Sequence, residues 1–120
     1  MNKKTIVIGA SVKPDRYSNK AVRKLLKYNH DVIALGFENG NIDTVPIETE
    51  WKNHEMVDTI TLYLNPQRQK EYYKYILDLK PKRIIFNPGT ENNELEQMAI
   101  DRQITVIEAC TLVLLSTGQY

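Results

Sequence analysis

Several absences narrow what this chain can be. A single cysteine in 120 residues excludes an internal disulfide framework. With no export signal in view, that points to a reducing, cytoplasmic home. Lysine and arginine number 16 against 15 aspartates and glutamates, a net charge of +1. General nucleic-acid binding leaves a basic surplus, and there is none. No apolar run approaches the roughly 20 residues that a membrane-spanning helix needs. The run behind Lys3-Lys4 is too short for a signal peptide and reads as a strand. The two histidines, His30 and His54, have no partners at metal-ligand spacing, so no metal is assigned. There is no internal repeat, linker or low-complexity tract. At this length the expectation is one domain, residues 1–120, large enough for its own core.

What is present is a regular alternation of apolar runs and helical patterns. The strand candidates are Thr5–Ala10, Asp31–Gly36, Val57–Leu64, Arg83–Phe86 and Ile104–Ile107. The second is almost wholly apolar, as expected of a parallel strand covered on both faces. A helix over 20–28 places Ala21, Val22, Leu25 and Leu26 on one stripe. It ends at Asn29-His30-Asp31, where a cationic His30 suits the helix dipole. Asn39-Gly40-Asn41 is a turn, and Ile42–Ile47 with Pro46 reads as a short edge segment. Glu48–Asn53 reads as a single helical turn. Asn65-Pro66 opens a second long helix, with Asn65 as N-cap and Pro66 at the first helical position. That helix turns Tyr72, Tyr73, Ile76, Leu77 and Leu79 toward the sheet and stops at Lys80-Pro81. Thr90 reads as the N-cap of a third helix carrying Leu95, Met98 and Ala99, and Cys110-Thr111 opens a last one. Strands alternating with helices imply parallel pairing and right-handed crossovers. The expected fold is a three-layer, doubly wound α/β sheet of Rossmann type.

The chemistry concentrates at one stretch. Thr5-Ile6-Val7-Ile8 ends abruptly in Gly9-Ala10-Ser11, and a loop with Lys13 and Arg16 leads into the first helix. Strand, small-residue turn and helix form an anion site. Small residues let the backbone approach a phosphate, and the helix start supplies free N–H groups and a positive dipole end. Lys13 and Arg16 add full charges. As a dinucleotide fingerprint it is incomplete, because Ser11 and Pro14 stand where the second and third glycines should be. In such sheets the ligand lies beyond the carboxyl ends of the strands. The loops there are rich in Gly and Asn-Pro, and outside the first one they carry few charges. That composition suits holding a phosphorylated nucleotide more than proton-transfer chemistry, so no catalytic residue is assigned.

Gly9-Ala10-Ser11 followed by Lys13-Pro14-x-Arg16-Tyr17-Ser18-Asn19-Lys20-Ala21 resembles the small single-domain CoA-binding proteins, relatives of the CoA-binding domain of the succinyl-CoA synthetase α subunit. Asn87-Pro88-Gly89-Thr90-Glu91 and Ile107-Glu108-Ala109-Cys110 match later motifs of that family, in order. The resemblance covers nearly the whole chain. It implies a Rossmann-type domain that binds coenzyme A and is not an enzyme by itself. It places Gly9, Ala10 and Ser11 against the pyrophosphate, with Lys13 and Arg16 on phosphates. Tyr17, Ser18 and Asn19 stand at the helix start. Leu64, Asn65 and Pro66 border the adenosine or pantetheine, and Gly36, Phe37, Asn87 and Gly89 complete the edge. The family usually has Asn-Pro at the end of its second strand, where this chain has Gly36-Phe37-Glu38.

Two other readings compete. An acidic residue about 20 residues beyond a glycine turn is what a NAD ribose site uses, and Glu38 is near that place. The alternative ligand is therefore NAD or another adenine nucleotide. The third reading is a protein-interaction module without a small ligand, and an exposed Tyr72-Tyr73-Tyr75 cluster would suit a homodimer face. Cys110 reads first as a small buried apolar residue. The sharper reading is a thiol at a helix N-terminus near the CoA thiol.

Overall fold

The computed structural model describes residues 2–120. Thirteen short elements follow one another as β1 (Thr5–Ala10), α1 (Tyr17–Lys27), β2 (Val32–Gly36), β3 (Asn41–Ile42), β4 (Val45–Glu48), β5 (Thr59–Leu62), α2 (Pro66–Gln69), a 3-10 turn (Lys70–Tyr72), α3 (Tyr73–Asp78), β6 (Arg83–Phe86), α4 (Asn93–Asp101), β7 (Thr105–Glu108) and α5 (Thr111–Ser116). The strands form one seven-stranded sheet in the order β3-β4-β2-β1-β5-β6-β7. All neighbours pair in parallel except β3, which lies antiparallel on β4 at one edge. This is the doubly wound α/β architecture expected from the alternation.

Alternate residues of the central strands feed two cores. Ile6 and Ile8 of β1 pack with Ile76, Leu77, Leu95 and Ala99 on one face. Val7 packs with Val22, Leu25 and Leu115 on the other. Helices α1 and α5 therefore cover one face and α3 and α4 the opposite one, giving three layers. From β1 the chain winds to β2 on one side and later to β5 on the other. The strand order reverses between β1 and β5, and a crevice opens above their carboxyl ends.

Four local expectations differ from the structure. Helix α1 begins at Tyr17, three residues before the expected start at residue 20. The helical turn expected over Glu48–Asn53 does not form. Strand β4 runs to Glu48, and the Trp51 indole N–H donates to the Gly36 carbonyl at 3.1 Å while its ring lies 4.4 Å from that of Tyr72. Those anchors hold the segment outside helical geometry. The helix after Asn65 tightens to a 3-10 turn between α2 and α3. The tighter winding resets the inward face, so that Gln69, whose buried amide donates to the Leu64 and Thr90 carbonyls, and Ile76 both point inward. Finally, Asn92 rather than Thr90 caps α4, its Oδ1 accepting from the Glu94 and Leu95 N–H groups. Thr90 instead closes the preceding turn, its hydroxyl donating to the Asn87 carbonyl at 2.7 Å.

Candidate functional site

Strand β1 is irregular at its end. Its pairing with β2 slips between Ile8 and Ala10, and Gly9 carries φ +95°. A side chain there would stand 3.1 Å from the Tyr63 backbone and 3.2 Å from Leu64. Glycine is therefore required by the close approach of the segment after β5, as well as by its backbone angle. The chain leaves through Ser11 and turns, the Arg16 N–H donating to the Lys13 carbonyl at 3.1 Å. It enters α1 with Arg16 at the N-cap. Arg16 makes no side-chain capping bond, and the first turn holds no acidic residue. The opening N–H groups of an 11-residue helix are thus left to whatever occupies the crevice.

The crevice has a volume of about 360 Å³, within the range of small-molecule sites. Its floor is Gly9, Ala10 and Ser11, and the start of α1 supplies Arg16, Tyr17 and Ser18. The far walls are Phe37 and Glu38 beyond β2, and Tyr63, Leu64 and Arg68 beyond β5. Two cations, Arg16 and Arg68, and one carboxylate, Glu38, line it. The Arg68 guanidinium stacks on the Phe37 ring at 4.3 Å. Phe37 also borders a cluster with Trp51 and Tyr72, at ring separations of 5.5 and 6.1 Å. Burial pushes the Tyr63 phenol far above its ordinary pKa, so it is neutral at any working pH.

Eight of the residues expected at the ligand do meet in this crevice: Gly9, Ala10, Ser11, Arg16, Tyr17, Ser18, Phe37 and Leu64. The other seven lie outside its lining. Asn19 is buried, and its amide donates to the Ser11 carbonyl at 2.8 Å, so it braces the loop from behind. Lys13 is exposed and outside the lining. Gly36 is a packing residue: a Cβ there would lie 2.5 Å from the Ala10 carbonyl oxygen. Asn65 caps α2 by accepting from the Arg68 N–H at 2.9 Å, with Pro66 at the first helical position. Gly89 sits on an exposed turn at φ +91°, its N–H donating to Glu91. Asn87 is buried, and its amide donates to Thr61 Oγ1 and the Leu62 carbonyl while accepting from the Thr111 N–H. It ties β5, β6 and α5 together beneath the edge.

Sequence reasoning missed Tyr63 and Arg68 as lining residues. Tyr63 follows an apolar strand and reads as core; Arg68 lies in a helix whose first turn happens to rim the crevice. The tyrosines considered as a dimer face have partners within the chain. Tyr72 stacks on Trp51, the Tyr73 hydroxyl accepts from Asn92, and the Tyr75 hydroxyl donates to the Lys52 carbonyl. Burial, with Glu48 nearby, pushes the Tyr75 phenol up to about 12. Cys110 is half-buried rather than buried, at the N-cap of α5. Among the described residues no group of His, Cys, Asp and Glu side chains could hold a metal ion, and no helix is long and apolar enough to cross a membrane.

Comparison with known proteins identifies the fold and the kind of domain. Residues 3–116 match the family described as CoA binding domain. A crystal structure of an uncharacterized protein is 45% identical to the chain, covers 100% of it and 99% of its own length, and superposes with a TM-score of 0.98. A hypothetical protein from Pyrococcus horikoshii OT3 shares 20% identity over 96% of this chain and 82% of its own, with a TM-score of 0.85. A cell-free-synthesised protein from Thermus thermophilus, ID.343, shares 19% identity over 98% and 91%, with a TM-score of 0.81. The last two establish the likeness of fold alone. No curated protein matches the chain.

Proposed function

The chain belongs to the CoA binding domain family, and from that premise we propose that it is a stand-alone binding protein for coenzyme A or an acyl-CoA, holding the pyrophosphate at the turn between β1 and α1. The observation that carries this reading is the uncapped start of α1 opening into the crevice between β1 and β5, with Arg16 beside it. A pyrophosphate there meets small residues, free N–H groups and a guanidinium at once. The adenosine then lies toward Phe37 and Arg68, and the pantetheine runs past Tyr63 and Leu64. Arg68, stacked on Phe37, offers a cation for the 3′-phosphate on the same rim as Glu38. The protein binds without performing chemistry of its own and acts where CoA is found, in the cytoplasm.

One observation favours a second reading. Glu38 lines the crevice beyond β2, where a ribose hydroxyl of NAD would be recognised. Calorimetry with CoA, 3′-dephospho-CoA and NAD separates the two. Saturable binding that weakens when the 3′-phosphate is removed supports the proposal. Binding of NAD in preference to CoA overturns it and makes Glu38 the ribose ligand. A binder at 100 times its dissociation constant also stabilises the fold by about 2.7 kcal/mol, so thermal unfolding reports the same ranking.

A further inference from the structure

Beside the crevice lies a smaller chamber of about 220 Å³, lined by Tyr17, Tyr63, Asn87, Pro88 and Cys110. Tyr17 and Tyr63 belong to both spaces, so the chamber continues the crevice along the sheet edge toward β6 and α5. Its walls offer little to a polar group. Asn87 would be the exception, but both its N–H groups and its carbonyl oxygen are already hydrogen-bonded within the chain. The Tyr63 hydroxyl is sealed from solvent and has no hydrogen-bond partner among the described residues, which leaves mainly ring carbon to face the cavity. Pro88 presents its ring and Cys110 its thiol. The two arginines of the site, Arg16 and Arg68, line the crevice and not the chamber.

We infer that this chamber takes the acyl group of a short, uncharged acyl thioester, so that the protein distinguishes acyl-CoA from free CoA. The inference rests on the CoA reading above and adds the class of ligand. Geometry and chemistry converge on it. The crevice holds the cations that a nucleotide needs, and the space reached past Tyr63 is apolar. The chamber equals the liquid volume of about seven water molecules, room for a sulfur, a carbonyl and a chain of three or four carbons. Water is poorly held between two tyrosine rings and a proline, so replacing it with methylenes is favourable. A carboxylated acyl group, as in a succinyl thioester, would bring a charge into the same space, whose lining holds no cation to meet it.

The test is calorimetry on the full chain with CoA, acetyl-CoA, propionyl-CoA, butyryl-CoA and succinyl-CoA. From acetyl to butyryl, affinity should rise about fourfold per carbon, the worth of one buried methylene. Succinyl-CoA should bind at least about tenfold more weakly than butyryl-CoA, because a carboxylate loses its hydration in a space with no counter-charge. Cys110→Leu fills the chamber, and Cys110 makes no side-chain capping bond that the substitution would remove. In that variant the preference for butyryl-CoA over CoA should collapse to a ratio near one. Equal affinities for CoA and butyryl-CoA in the unaltered chain overturn the inference and leave the CoA reading standing. A butyryl preference that survives Cys110→Leu unchanged also overturns it, because the acyl group then lies elsewhere. If CoA itself does not bind, both readings fall together.

Discussion

The Asn19 side chain donates to the Ser11 carbonyl across 2.8 Å, and its own oxygen accepts from the Arg23 guanidinium at the same distance. Asn19 therefore holds the loop between β1 and α1 against the helix it belongs to, while facing away from the crevice. Asn19→Ala should cost about 1 kcal/mol of stability, the net worth of such a bond. It should also weaken CoA binding although Asn19 does not line the site, because Ser11 is released. Asn19→Asp should do more harm, since a carboxylate would face the Ser11 carbonyl oxygen. Urea unfolding and a CoA titration on each variant check both effects.

Gly9 is held between two demands. Gly9→Ala should destabilise the fold by about 1–2 kcal/mol for the left-handed backbone, before any crowding against Tyr63 is added. The loss should be present without ligand. A variant that unfolds like the parent and fails only in binding would show that the ligand, and not the segment after β5, sets the requirement for glycine.

Arg16 and Lys13 separate in the structure, although both carry charge in the same loop. Arg16→Ala should weaken CoA binding by about 1.5–3 kcal/mol, the range for a charge-assisted hydrogen bond. Lys13→Ala should cost well under half of that and lose its effect in high salt, since Lys13 acts only at a distance through solvent. Equal losses in calorimetry at two salt concentrations would put Lys13 back at the ligand.

Asn87 is a buried junction. Asn87→Ala leaves the Thr111 N–H and the Leu62 carbonyl without their partner, and should lower stability by at least about 2 kcal/mol. Asn87→Asp keeps the acceptor for Thr111 but buries a carboxylate against the Leu62 carbonyl oxygen, and should destabilise at least as much as Asn87→Ala. Denaturation midpoints rank the three proteins.

His30 is not the helix-ending cation that its position suggests. The backbone N–H of Lys3 donates to its Nδ1 at 2.9 Å, and burial, with Lys3 and Arg83 nearby, holds its pKa below the ordinary 6.5. The unfolded chain therefore takes up a proton at a higher pH than the fold does. Stability should be full above about pH 6.5, decline as pH falls below it, and level off once the folded imidazole also protonates. His30→Gln should flatten that part of the pH–stability curve. Thermal unfolding between pH 7.5 and 5 measures it.

The order of elements, the layered α/β fold and the opening turn were legible in the chain because they depend on local pattern. Apolar runs bounded by turn residues make strands, and an N-cap Asn before Pro66 makes a helix start wherever it stands. What lay out of reach were the partners of side chains distant in sequence. Trp51 is drawn to the Gly36 carbonyl, so a stretch with helical composition stays irregular. Asn87 and Asn19 look like ligand donors by their place in a motif, but their amides meet chain atoms that only the folded sheet brings near. Tyr63 and Arg68 rim the crevice because β5 lies beside β1, a neighbour relation that no local pattern contains. The residue types and their spacing thus determined a layered parallel sheet with a small-residue turn after its first strand. Tertiary structure decided which polar groups line the crevice and which hold the fold, because hydrogen-bond partners are assigned by proximity in space.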